Sequence, residues 1–154
     1  MDIRGNVPTR LGKLDTREVD AVLLAGAGLT RLGLDLSAYE AVPLNPKEFV
    51  PAPAQGVLAF QVRREDLSLR AFLKKIHRPE VSRLTNVERK TLQLLGGGCQ
   101  MPIGVYCERD RMGHYHAFAA AADSWDAPLR RARLSSATTA NLAERLVQAL
   151  RAEA

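Results

Sequence analysis

Three consecutive glycines, Gly96 to Gly98, divide two kinds of sequence, and no regular element runs through such a triplet without a large loss of backbone entropy. Before them, "RPEVSRLTNVERKTLQLL" reads as a helix that ends at the glycines. After them, "MPIGVYCER", "HYHAFAAAAD" and "PLRRARLSS" read as strands separated by the turn-like "DRMG" and "SWDA". The chain closes on "TTANLAERLVQALRAEA", a helix with Thr138 or Thr139 as its expected cap. Helix, three strands and helix predict a small α+β domain with a three-stranded antiparallel sheet.

The earlier residues have a different rhythm. "DIR" reads as a short strand leading into "GNVPTRLGKLDTRE", where Asn6 can cap a helix whose first turn holds Pro8. "VDAVLLA" is a continuous apolar run, as in a strand covered on both faces, and "GAGLTRLGL" turns through Gly26 and Gly28 into another short helix. This alternation predicts an α/β layer with parallel strands, and two strands need further neighbours to form a stable sheet. Residues 43–56, "PLNPKEFVPAPAQG", carry four of the eight prolines and read as a crossing between structural units. "VLAFQVR" follows as a strand and "DLSLRAFLKKIH" as an amphipathic helix.

With 154 residues and 46% hydrophobic composition, the chain can bury an ordinary core. No apolar run approaches the roughly 20 residues of a membrane span. Met1 to Arg10 lacks a secretory-signal pattern, so a cytoplasmic protein without a membrane partner is expected. Cys99 and Cys107 match no zinc or redox spacing and are expected as free thiols. The 22 Lys+Arg against 17 Asp+Glu give a net charge of +5, which favours an anionic partner. Scattered cations with few aromatics argue against nucleic acid.

Arg4 and Arg10 flank a helix start, and Arg31 is expected in the first turn after Gly26 and Gly28. Either corner suits a carboxylate or phosphate, because guanidinium makes paired hydrogen bonds beside a positive helix end; solvated surface is the alternative for each. Cys99 follows a helix C-terminus, whose negative dipole end opposes thiolate formation. A thiol that captures one strong electrophile needs little acidity, and the glycines would leave room for a bulky adduct; a buried cysteine after a glycine cap is the alternative. His114 and His116 share a strand face but lack a third metal ligand, Trp125 reads as a packing residue, and Cys107 as structural.

Four blocks, "RGNVPTRLGKLD", "DAVLLAGAGLTRLGL", "VPAPAQGVLAFQVR" and "LLGGGCQMPIGVY", occur in the order and approximate spacing of the porphobilinogen deaminase (hydroxymethylbilane synthase) family, which the chain therefore resembles. The resemblance implies a transferase of tetrapyrrole and haem biosynthesis, which condenses four porphobilinogen molecules stepwise with release of ammonia. It implies a dipyrromethane cofactor attached through a thioether to Cys99, with Arg4, Arg10 and Arg31 binding cofactor and substrate carboxylates. It also implies a fold: residues 1–56 would be the C-terminal part of a periplasmic-binding-protein-like α/β domain 2, residues 57–76 a crossover segment of domain 1, and residues 77–154 the α+β domain carrying the cysteine.

Departures matter as well. The family's catalytic aspartate belongs to an N-terminal half that this chain does not match, so the chain resembles a C-terminal half, expected to be inactive alone and to need a separate N-terminal half as partner. Asp15 and Asp20 lie in scaffold stretches and are not expected to replace that aspartate. Gly96 stands where an acidic residue is common, a change expected to loosen the loop, and Ala54 stands where "VGQG" is more usual. A noncatalytic tetrapyrrole- or polycarboxylate-binding module is the alternative function.

Overall fold

Asn6 begins the first helix as its spacing from Thr9 requires: its Oδ1 accepts Thr9 N–H at 2.9 Å, and Pro8 sits in the first turn. The computed structural model describes residues 3–98 and 101–153. They form α1 (Val7–Asp15), α2 (Gly26–Leu32), α3 (Leu67–Lys74), α4 (Pro79–Leu94), β1 (Ile103–Arg109), β2 (Tyr115–Ala121), β3 (Arg130–Ser136) and α5 (Leu142–Ala152). The chain divides into two compact units, Met1–Pro43 and Leu44–Ala154.

The first unit holds α1 and α2, and Tyr39, beyond α2, donates its hydroxyl to Asp15 Oδ1 at the end of α1 at 2.7 Å. The strands expected at "DIR" and "VDAVLLA", and at "VLAFQVR" in the second unit, carry no ladder pairing among the described residues. A strand exists only through a neighbour's N–H and C=O groups, and none of the described residues pairs with these segments. Their apolar side chains stay open to solvent, with Leu23 60%, Leu58 86% and Phe60 65% exposed.

In the second unit the sheet runs β1-β2-β3, antiparallel throughout, with Val105 opposite Ala119 and Phe118 opposite Arg133. Alternation sends Val105, Cys107, Ala117, Ala119 and Ala121 to one face, where α4 and α5 cover them. Small residues on β2 let α5 approach closely, and Leu142, Leu146 and Leu150 fill the interface, each side chain worth roughly 1.5–3 kcal/mol of burial. The expected cap of α5 is displaced. Thr138 Oγ1 accepts Ala140 N–H at 3.2 Å within the preceding loop, and Asn141 is the N-cap, in a left-handed conformation and without a side-chain capping bond. Trp125, expected to pack, is 77% exposed in the β2–β3 connection, where no element passes over it.

The opposite sheet face and the β1 edge are dressed by residues 44–54. Lys47 Nζ pairs with Glu108 Oε1 at 2.6 Å, and Glu48 O accepts an Arg131 N–H at 2.6 Å. Pro51 O accepts Val105 N–H at 2.9 Å, and the carbonyl of Val50 lies where a side chain on Gly104 would project. Glu88, on the inner side of α4 and only 8% exposed, completes the attachment. Its Oε2 accepts Ala54 N–H at 2.8 Å and its Oε1 accepts Cys107 N–H at 2.9 Å. Burial pushes its pKa up against the lowering effect of these two bonds.

The β1–β2 turn is closed by Asp110, which accepts His114 N–H at 2.8 Å and lies 3.0 Å from His116 Nε2; His116 Nδ1 meets Ser135 Oγ at 2.8 Å. The His116 bond is the main reason that the Asp110 carboxyl is held down at about 2.

These contacts and conformations set the stability of three positions. Glu88→Gln leaves one of two buried N–H groups facing an amide NH2 and should cost about 2 kcal/mol in urea denaturation. Ala54→Gly should act oppositely, gaining about 1 kcal/mol, because Ala54 is held at φ +62°. Asp110, with a folded pKa below its ordinary 3.8, favours folding fully above that value and loses its contribution as pH falls towards 2. Asp110→Asn should therefore flatten the acid limb of a thermal-melting profile between those values.

Candidate functional site

The approach to the cysteine is built from α4. The helix ends at Leu95, Gly96 adopts φ +67°, and the bonds Gly96 N–H to Gln93 O (3.1 Å) and Gly97 N–H to Leu92 O (3.0 Å) satisfy its last carbonyls. This is the paired pattern of a Schellman ending, for which a left-handed glycine is the favoured residue. Gly96 therefore secures the helix end, while the expected loosening concerns the loop around Cys99, which lies outside the described residues.

The second glycine has a separate reason. A Cβ on Gly97 would lie 2.5 Å from Ile103 Cδ1 and 2.7 Å from Leu92 Cδ1, so the bare backbone lets the chain pass between α4 and β1. Gly96 and Gly98 both have open space around them, with nothing within 4 Å of a built Cβ. Open space beside the main chain is thus found at the first and third glycines and not at the second. Cys99 and Gln100 lie outside the described residues, and the chain resumes with Met101 N–H bonded to Gly98 O at 3.1 Å.

Cys107 makes a chemical contrast. It is 3% exposed in β1, and burial, reinforced by the charges of Glu88 and Glu108, pushes its thiol up to about 12. Such a thiol supplies almost no thiolate at neutral pH, which agrees with a structural role.

The arginine corners are less alike than their sequences suggest. Arg10 is half-buried in the first turn of α1, and its Nε donates to Gly5 O at 2.9 Å, which leaves its two Nη groups to face a ligand. Arg4 is exposed just before that helix. The helix start offers fewer amides than expected, because Asn6 takes Thr9 N–H and Pro8 has none. Arg31 is exposed in the last turn of α2, not the first, since the helix begins at Gly26 and ends after Leu32. The dipole there favours Arg31 itself and gives no help to an anion. The two corners thus share guanidinium chemistry but not helix-start geometry.

Asp15 is engaged by the Tyr39 hydroxyl, in keeping with a scaffold position. Among the described residues, no three His, Cys, Asp or Glu side chains are grouped to hold a metal, and His114 and His116 both turn to Asp110 instead. No helix of the described residues is long and apolar enough to cross a membrane. Sequence reasoning missed Glu88, whose only signal is a carboxylate on the otherwise inward side of α4, beside Leu84, Val87 and Thr91.

Comparison with known proteins gives a consistent answer. Residues 1–71 match the family described as porphobilinogen deaminase, dipyrromethane cofactor binding domain. Porphobilinogen deaminase of Fusobacterium nucleatum is 43% identical over 106 residues, 69% of this chain and 35% of that protein. Those of Alkaliphilus metalliredigens and Nitrobacter winogradskyi are 47% and 48% identical, each over 68% of this chain and 32% and 33% of their own lengths. The chain is a porphobilinogen deaminase-family sequence that spans about a third of the length of the curated relatives it matches.

Proposed function

We propose that this chain is the C-terminal portion of a porphobilinogen deaminase, a transferase that condenses four porphobilinogen molecules into hydroxymethylbilane with release of ammonia. The observation that carries the reading is the 43–48% identity to these enzymes over about two thirds of the chain. In this reading Cys99 holds a dipyrromethane cofactor by a thioether, and Arg4, Arg10 and Arg31 bind carboxylates of cofactor and substrate. The residues suit that group: Gly98 leaves space beside the cysteine, and guanidinium groups pair with carboxylates through parallel hydrogen bonds.

When bound, the dipyrromethane supplies the pyrrole carbon at which the chain is extended. The protein's own contribution here is to hold and orient. Gly96 and Gly97 fix the exit from α4 on a rigid helix, and Arg10, braced by Gly5 O, offers a preorganised Nη pair. Cys107 stays protonated, so it does not compete for an electrophile.

The proposed domain division assigns residues 1–56 to a periplasmic-binding-protein-like second domain, residues 57–76 to the first and residues 77–154 to the third. Exposure of Leu23, Leu58 and Phe60 supports it, since a completed sheet would cover such side chains. The catalytic aspartate is proposed to come from an N-terminal half outside this chain.

Intact-mass measurement of protein from porphobilinogen-producing cells should show a dipyrromethane adduct that Cys99→Ala abolishes. An unmodified wild-type mass would overturn the tether. Independently, the purified chain should not consume porphobilinogen by itself, and turnover without any N-terminal half would overturn the assignment of the missing aspartate.

A further inference from the structure

A second cationic feature lies in the Leu44–Ala154 unit; Gly97 borders it, but its charged residues take no part in the proposed chemistry. Between α4 and the start of α5 runs a groove of about 820 Å³, within the size range of small-molecule sites. Arg83, Arg89, Lys90 and Gln93 line it from α4, and Asn141 and Glu144 from the α5 side. Arg83, Lys90 and Gln93 recur at spacings of seven and three, which puts them along one helix face.

Charge in this groove is unbalanced. Its lining holds three cations and one carboxylate, and among the described residues none of these four takes part in an ion pair. Elsewhere in the same unit Lys47, Arg109 and Arg130 are matched by a carboxylate within 2.8 Å, while Arg111, Arg133 and Arg145 take part in no ion pair among the described residues, so it is the clustering of three cations along one groove that sets this site apart. Asn141, held at φ +53°, lines the groove with a side chain that forms no cap on α5. Amide donors from Gln93 and Asn141 thus accompany the cations on opposite walls, an arrangement suited to one ligand carrying several anionic groups.

We propose that the α4–α5 groove binds a small oligoanion bearing two or more carboxylate or phosphate groups, with Arg83 and Lys90 as its principal contacts. The inference does not rest on the tetrapyrrole reading, because it uses neither the cysteine nor the Arg4, Arg10 and Arg31 corners.

Titration calorimetry of the full chain at low salt, with citrate and tripolyphosphate as probes, tests it. Saturable binding is expected, weakening as ionic strength rises. Arg83→Gln/Lys90→Gln should weaken it at least tenfold. Arg111→Gln/Arg133→Gln, an equal charge change in the β1–β2 turn and on the other sheet face, should shift it less than twofold. The tighter probe identifies carboxylate or phosphate as the source. Absence of saturable binding, or equal losses in the two double variants, would overturn the site. Circular dichroism of both variants distinguishes loss of binding from loss of fold.

Discussion

A single buried carboxylate ties together the parts of the C-terminal unit that sequence keeps far apart. Glu88 belongs to α4, accepts one N–H from the proline-rich segment and one from β1, and has no other means of offsetting its desolvation. Two amides aimed at an ionised group are each stronger than a neutral pair, but the charge remains costly to bury. Its benefit is specificity of arrangement. With the Val105 bond to Pro51, it sets where residues 50–54 lie along β1 and so fixes the surroundings of the helix that leads to the glycines.

Legibility followed locality. Asn6 announced its helix because capping needs only the next few residues, and the three-stranded sheet was readable because its strands follow one another along the chain. "VDAVLLA" has equally strong strand composition, yet pairing is not a local property, and no partner stands beside it among the described residues. Arg31 was misplaced because Gly26 is a poor marker of a helix start, and one turn of error exchanges the two ends of so short a helix. Glu88 was hidden because a charge within an amphipathic pattern reads as solvent-facing. The family blocks identified the cysteine motif, but the distinct duties of Gly96 and Gly97 needed coordinates.

The two thiols illustrate how environment rather than residue type determines reactivity. Cys107 is enclosed by the sheet and α4 with two carboxylates for company, so deprotonation would add a third negative charge to a space that already resists the first. Cys107 is thereby unsuited to chemistry that requires a thiol, in keeping with the proposed tether at Cys99.

The margins of the sheet also bear on how the unit behaves in a crowded solution. Its β1 margin is shielded by the proline-rich segment, since Pro51 and Glu88 occupy the outward N–H groups of Val105 and Cys107. The β3 strand instead carries Arg131 and Arg133, besides Arg130 paired with Asp123, so that a like strand approaching it would meet net positive charge. One border is sealed by covalent neighbours and the other guarded by repulsion, which disfavours growth of the sheet from molecule to molecule.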